Sequence, residues 1–456
     1  MPGLNSIMDA SLSALFAAQA GMATTGHNIA NANTPGYTRQ DVTFAARRPD
    51  ILPYGAIGRG VEVQGIRRMQ DEFLLNNLRV QSSRLASYSA IDNVLYDVEA
   101  ILGSVDNDHL GNAMNEFFAA WNTLATPPFA ESNKYNVVAT AESLVRDFHA
   151  INESLDDLES NIENDIQLEI TNLNGLLTSV AEMNEQIMAA ESNGEPANDL
   201  RDQRDFLISQ LSEIAEVNVL EREDGTKDVI LAGRTLVARG SVTHFQSTYV
   251  QTSSGYQMSI MTQGHNAAVN LSPGRLEGLM TSRDVQVTQV RDNLDAVARQ
   301  LIEEVNTLHV QGRTDNSSGL TFFSGDSMHT IELNEAIRSN NHLVATGRTS
   351  ADGDNTIAEE IANLINQSVN GAGHSTIGDQ YRSMLTSVAS QRSSFEFLVE
   401  NQQNVVSSLE NKMASLTGVS LDEEGANMVR YQNSYNAAAK VVSTVQEMYD
   451  TLMNMV

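Results

Sequence analysis

The chain has 456 residues with 28 basic and 58 acidic side chains, a formal charge of −30, and it contains no cysteine. Such a length points to about two to four domains. The negative charge argues against nucleic-acid or anionic-membrane partners, and the missing thiols exclude disulfides, thiolate metal sites and a cysteine nucleophile together.

Apolar residues make up 41% of the chain, enough for packed cores, with a single tryptophan, Trp121. No apolar run approaches the ~18–20 residues of a membrane-spanning helix. The first 29 residues hold neither Lys nor Arg, unlike the basic start of a secretory signal. Charge is uneven: residues 1–85 carry eight Arg against six acidic residues, whereas 147–199 carry thirteen acidic residues and no basic one. That acidic run reads as a solvated helical face, or as a surface kept from self-association before assembly.

In chain order, residues 6–30 are poor in charge and predict a helix. Met8, Leu15, Met22 and Ile29 recur every seven residues, interleaved with Leu4, Ser11, Ala18 and Thr25 in steps of four and three. This is a coiled-coil seam with one large and one mostly small row, and a partner helix can approach closely along the small one. Gly21 and Gly26 each cost about 1 kcal/mol relative to Ala, so the helix requires a partner. Next comes Asn31-Ala-Asn33-Thr-Pro35-Gly36-Tyr37-Thr-Arg-Gln40. Pro35-Gly36 suits the centre of a type II turn, which ends the helix and starts an extended run where Val42 and Phe44 alternate with Asp41 and Thr43.

Helical periodicity resumes over 70–103 (Phe73, Leu74, Leu78, Leu85, Tyr88, Ile91, Leu95, Val98, Leu102), over the acidic 136–190, and over 200–215. From 217 to 271 the chain becomes rich in Val, Thr, Ser and Gly, with turn signals at Asp224-Gly225 and Ala232-Gly233, and reads as an all-β insert. Helix returns over 275–310, residues 311–355 read as loops with short strands around 321–323, and 381–416 is again a long helix. Ser420 with Glu423 forms a capping box after a break at Gly418, so a last helix starts near Leu421 and runs to the chain end. Met428, Tyr431, Tyr435, Ala438, Val442, Val445, Tyr449, Leu452 and Val456 hold the three–four alternation along it. Fixing a tail of about 36 residues costs more than one such stripe returns, so the termini are expected to order on assembly.

The expected fold is therefore mainly α with a β insert (α+β): long helices, paired N- and C-terminal coiled-coil helices, discontinuous domains and a small outer all-β domain. The boundaries expected are 1–50 plus 415–456 for a terminal assembly domain, 51–220 plus 275–414 for a helical middle, and 221–274 for the β-rich insert.

Little in the sequence suggests catalysis. Nine histidines are scattered without His-Glu-x-x-His spacing, and His27 beside Gly26 reads as a surface or interface residue. Gly55, Gly58 and Gly60 stand in the wrong order for a dinucleotide loop. Asp352-Gly-Asp354-Asn355 has Ile357 where a calcium loop needs glycine. His244 and His265 lie twenty-one residues apart with no acidic cluster nearby, which argues against zinc hydrolysis. The chain is read as non-enzymatic, with no catalytic residue, cofactor or metal.

The stretch from Asn28 through Asn31, Asn33, Pro35 and Gly36 to Tyr37 resembles the N-terminal signature of the axial proteins of the bacterial flagellum, the rod, hook and hook-associated proteins. Ser420-Leu421-Asp-Glu-Glu-Gly-Ala-Asn-Met428-Val-Arg-Tyr431-Gln-Asn-Ser-Tyr435 resembles their C-terminal signature. Within the family, Leu421-Asp-Glu-Glu424, the end Glu447-Met-Tyr-Asp-Thr-Leu-Met-Asn454, Gly65-Ile-Arg-Arg68 and Leu308-His-Val-Gln-Gly312 are similar to the hook-associated branch at the hook–filament junction. The resemblance covers 1–215 and 275–456; the β insert departs from it.

This resemblance implies an extracellular structural protein of the flagellum. It would leave the cell unfolded through the flagellar type III apparatus, assemble as a ring or tube at the hook tip and link hook to filament. The implied partners are further copies of the chain, the hook protein, a second hook-associated protein on the filament side, and an export chaperone. The chaperone would take the C-terminal helix into a groove, burying Tyr431, Tyr435, Val442 and Val445. Neither nucleic acid nor membrane insertion is implied. The expected assembly residues are Met8, Leu15, Met22, Ile29, Asn31, Asn33, Pro35, Gly36 and Tyr37 with Leu421, Met428, Tyr431, Tyr435, Val442, Val445, Tyr449 and Leu452. Two other readings stay open: a hook or distal rod protein, and a secreted enzyme on an axial scaffold with its site in the β insert.

Overall fold

The computed structural model describes residues 2–52, 55–103, 109–126, 130–252, 255–264, 268–314, 317–349, 353–367 and 376–454. His265, Asp352 and Val456, named above, lie outside them. The charge-poor N-terminus forms α1 (Pro2–Asn31), and the Pro35-Gly36 turn leads into β1 (Gln40–Ala46). A short hairpin of β2 (Asp50–Leu52) and β3 (Gly55–Ile57) follows, then β4 (Val61–Arg68), which returns to pair antiparallel with β1. Helices α2 (Glu72–Leu102), α3 (His109–Leu124), α4 (Glu131–Ala190) and α5 (Asn198–Ile214) come next.

Six strands follow: β5 (Asn218–Glu221), β6 (Lys227–Leu231), β7 (Arg234–Ala238), β8 (Ser241–Val242), β9 (Phe245–Thr252) and β10 (Gly255–Thr262). β5 to β8 form an antiparallel sheet in chain order, and β9 and β10 form a hairpin. Helix returns with α6 (Arg275–Thr281), a π-helical stretch over Ser282–Val287, and α7 (Thr288–His309). The two-residue strands β11 (Arg313–Thr314), β12 (Ser317–Ser318), β13 (Phe323–Ser324) and β14 (Glu332–Leu333) and the short helices α8 (Glu335–Ser339) and α9 (Thr356–Asn363) precede α10 (Ile377–Thr417) and α11 (Leu421–Met453). The fold is mainly α with a β insert, as the periodicity predicts. Helices α3, α8 and α9 are the ones that reading does not contain.

By compactness the chain divides into two units. The first comprises Met1–Leu85, Ile170–Gly274 and Gln402–Val456, so the strands of 221–274 belong to the same unit as both termini. Two asparagines on α4 hold those strands. Buried Asn184 donates Nδ2 to the carbonyls of Lys227 (2.8 Å) and Arg239 (3.1 Å) and accepts the Lys227 N–H (3.0 Å). Ten residues earlier, Asn174 exchanges two bonds with the Phe245 backbone, each 2.8 Å. Each side-chain amide satisfies strand groups that another strand would otherwise pair. The β6–β7 turn places Ala232 and Gly233 at φ 50° and 76°, the type I′ geometry that suits a two-residue hairpin loop.

The second unit comprises Ala86–Glu169 and Arg275–Asn401. Phe117 and Trp121 of α3 pack at edge-on and tilted angles against Phe322 and Phe323, and Trp121 also meets His309 at the end of α7. The α7 stripe of Val290, Leu294, Val297, Leu301 and Val305 is buried throughout. His309 is wholly buried. Its Nδ1–H donates to the Leu320 carbonyl at 2.5 Å and its Nε2 accepts the Ala345 N–H at 3.0 Å, which fixes one neutral tautomer. Burial pushes its pKa from 6.5 down to about 4.

Candidate assembly interface

α1 and α11 pack on each other in antiparallel sense. The Tyr449 hydroxyl donates to the Asn5 side-chain oxygen near one end, and the Tyr431 ring covers Gly21 toward the other. The helices approach closely at Gly21, where a Cβ would lie 2.6 Å from the Tyr431 ring, and of the small row Ser11, Ala18 and Thr25 are buried. Of the large row, Met8, Leu15 and Met22 are half-buried and Ile29 is exposed. On α11, Ala438 and Val445 are buried, while Met428, Tyr431, Tyr435, Val442, Tyr449 and Leu452 are half-buried. Leu421 is exposed at the start of that helix.

The loop after α1 is built around Asn28, a residue the periodicity does not single out. Its side chain exchanges two hydrogen bonds with the Gln40 backbone, 2.9 and 3.0 Å, and accepts the Tyr37 hydroxyl at 2.7 Å. The Tyr37 hydroxyl also lies 3.1 Å from His27 Nδ1. Burial, with the negative field of Asp199, Asp202 and Glu424, pushes the Tyr37 phenol above its ordinary value and keeps it a donor. Asn31 donates to the His27 carbonyl (3.1 Å) and accepts the Thr34 hydroxyl (3.2 Å), whereas Asn33 and Pro35 are exposed. The Tyr37 N–H closes the Pro35-Gly36 turn onto the Thr34 carbonyl at 3.2 Å. Gly36 sits at φ 77°, and a Cβ there would lie 2.8 Å from Phe206 of α5. Glycine is required on both counts.

This loop is fastened to α5 and α11 by charge. Asp199, Asp202 and Asp205 stand three residues apart on α5. Gln40 Nε2 donates to Asp199 (2.7 Å), and the Thr38 N–H and hydroxyl both donate to Asp202 (2.9 and 2.7 Å). Arg68 of β4 bridges Asp202 and Asp205 at 2.8 and 3.1 Å. Lys227, 1% exposed, donates to Asp205 at 2.8 Å and to Glu72 at 3.0 Å. Burial alone would push the Asp205 carboxyl up, but Lys227, Arg68, Arg204 and Arg79 outweigh it and hold the group well below the usual carboxylate range. Asp202 differs: burial pushes it up, only partly offset by its bonds from Thr38 and Arg68.

Arg39 makes the link to α11. Its N–H donates to the Thr417 carbonyl at 2.8 Å, and its guanidinium reaches Glu424 (2.8 Å) and Glu423 (3.0 Å). Glu424, 1% exposed, thus gains the partner that a buried carboxylate needs. Ser420 caps the Glu423 N–H, but the Glu423 side chain, which a full capping box would fold back, goes to Arg39. The one sequence signal for this network is the three-residue spacing of acids on α5; their partners lie too far away in the chain for any pattern to show.

Outside the seam, α1 leaves Ile7, Leu12 and Phe16 exposed, and α11 leaves Val429, Val441 and Met448 exposed. The terminal pair therefore has one face satisfied within the chain and further apolar surface facing outward. A surface of that kind suits protein association.

The family model described as Flagellar hook-associated protein FlgK helical domain matches residues 95–323, half of the chain. The chain belongs to the FlgK family of flagellar hook-associated proteins. Its termini match two further descriptions, Flagella basal body rod protein over 8–38 and Flagellar basal body rod FlgEFG protein C-terminal over 411–455. Flagellar hook-associated protein 1 of Bacillus subtilis is 27% identical over 97% of this chain and 96% of its own length. The proteins of that name from Salmonella typhimurium and Escherichia coli are 26% and 24% identical over 99% of this chain and 100% of theirs. The solved flagellar hook junction protein FlgK from Burkholderia pseudomallei shares the fold, with a TM-score of 0.67 over 76% of this chain and 100% of that one at 14% identity. FlgK proteins are structural proteins of the flagellum, not enzymes, so the reading as a secreted enzyme falls away.

Proposed function

We propose that this chain assembles as a ring or tube at the tip of the flagellar hook and joins hook to filament. The observation that carries this is the α1–α11 pair, packed together but half covered along its seam, and apolar on its outer faces at Phe16, Leu12, Val429 and Val441. Copies related by a screw rotation would bury those faces in open, heterologous contacts, as a tube demands. The partners in this reading are further copies, the hook protein on one side and a second hook-associated protein on the other. Residues 1–50 with 415–456 act as the assembly domain, 51–220 with 275–414 as the helical middle, and 221–274 as the outer β-rich part.

The same reading has the chain leave the cell unfolded through the flagellar type III apparatus and work outside it. Before assembly, a chaperone would occupy the α11 stripe in place of α1, burying Tyr431, Tyr435, Val442 and Val445 in a groove. Electron microscopy of cells lacking the gene, with filament subunit assayed in the medium, tests the proposal. Hooks of normal length, bare of filament and with subunit lost to the medium, are expected. Missing hooks would move the chain to the hook or rod, and normal filaments would refute the junction role.

A further inference from the structure

The first unit carries a groove beside the β1–β4 sheet and a separate projection at one end of that sheet. The groove, about 540 Å³, runs beside β4, with Val63, Gln64 and Gly65 on one wall and Glu195, Pro196 and Asn198 on the other. The β1–β4 register passes from Gly65 to Val63, so Gln64 is the extra residue of a bulge and has no partner on β1. Asn198 Nδ2 donates to the Ile66 carbonyl at 3.0 Å, so this edge of β4 accepts hydrogen bonds from outside the ladder. Glu195 is exposed and, among the described residues, makes no ion pair.

The projection is the β2–β3 hairpin. It follows β1 at the end where Ala46 pairs with Val61, whereas the groove runs beside the middle of β4, from Val63 to Ile66. Ile51 stands 89% exposed on the hairpin. Arg47 and Arg48 at its base are also exposed, and among the described residues neither makes an ion pair, in a chain of formal charge −30.

We propose that the hairpin of one copy seats in the groove of the next, with Ile51 against Val63 and Pro196, the basal arginines facing Glu195, and hairpin backbone bonding at the Gln64 bulge. The proposal rests on the assembly reading above and adds which surfaces meet. A basic projection matches an acid-rimmed groove, and an added strand supplies main-chain bonds that an open edge lacks. Because hairpin and groove are different surfaces of one chain, the contact is heterologous, runs head to tail and continues from copy to copy.

A chain without cysteine makes the contact directly addressable. Ile51→Cys and Gln64→Cys, both at exposed positions, are placed on separate copies expressed together in flagellated cells lacking the native gene, and the flagella are oxidised. A cross-linked species of twice the chain mass is expected from the mixture and from neither variant alone. Pairing Ile51→Cys with Tyr249→Cys, an exposed residue of β9, is expected to give none. Arg47→Glu with Arg48→Glu should lower the cross-link yield several-fold, and adding Glu195→Arg should restore it. Hooks that carry filaments without the Ile51–Gln64 dimer would overturn the proposal and leave the junction role standing. A dimer from Ile51→Cys alone would place two hairpins together and overturn it as well. The junction role itself fails on a different result, normal filaments in cells lacking the gene.

Discussion

α7 and α11 are helices of 22 and 33 residues with apolar stripes of the same spacing, yet they are covered very differently. α7 buries Val290, Leu294, Val297, Ala298, Leu301, Ile302, Val305 and His309, whereas the longer α11 buries only Glu424, Ala438 and Val445. A fully buried aliphatic side chain contributes about 1.5–3 kcal/mol, so α7 is held by its own unit while most of the α11 stripe stays half covered. The units contrast in the same way at their centres. In the second, Trp121 sits among Phe117, Phe322 and His309; in the first, Asp205 sits among Lys227, Arg68 and Arg204. An apolar core is complete in one chain. A helix pair fixed at one end by ion pairs and half covered along its stripe is completed by neighbours.

The strongest way to break this contrast is a charge in the seam. Val445→Asp should abolish assembly, because Val445 is 2% exposed and an unpaired carboxylate there is not tolerated. Thermal unfolding followed by Trp121 fluorescence should show the second unit unchanged. If the variant still supports normal filaments, the seam has been misread.

Next in size is the charge cluster. Asp205→Ala leaves Lys227 and Arg68 without their shared carboxylate and should cost the first unit about 3–5 kcal/mol. Hydrogen exchange at the β6 amides would measure the loss. Exchange there as slow as in the unmodified chain would show that the cations are satisfied elsewhere.

The two units should also part on acidification. His309 has a folded pKa of about 4, below its ordinary 6.5, so the unfolded chain binds the proton more readily. The second unit therefore loses stability as pH falls from 6.5 toward 4, by about 3 kcal/mol, and no further from this residue below that. Asp205, whose pKa is lowered, keeps its charge and its contribution through the same window. Denaturation read by Trp121, in the unmodified chain and in His309→Gln, isolates the histidine; equal pH dependence in the two would contradict the assignment.

Smallest is Asn28→Ala, which strips partners from the Tyr37 hydroxyl and the Gln40 backbone. A loss of about 2 kcal/mol is expected, with faster exchange of the Gln40 amide and little change in α7. A neutral effect would mean that the loop is held by Asp202 and Arg39 alone.

What could be read in advance follows from how local each cause is. The Pro35-Gly36 turn, the Ser420 cap and the α7 and α11 stripes depend on residues within a turn or two, and they stand where periodicity places them. α3 is equally local, with Leu110, Met114, Phe117, Trp121 and Leu124 in step, and the same periodicity argument locates it. The partners of Asp199, Asp202 and Asp205 are not legible beyond the three-residue spacing of the acids themselves. A lone acidic residue looks like a solvated one until Thr38, Arg68 or Lys227 arrives from far along the chain. Asn174 and Asn184 are the same case: nothing within α4 says that an amide will stand in for a β-strand.

The claim that the terminal pair is completed by neighbours is tested most directly by hydrogen exchange on the free chain and on the chain within assembled flagella. The account predicts slow exchange along α7 in both states, and exchange along α11 that is fast in the free chain and slow after assembly. Equal protection of α11 in the two states would contradict it.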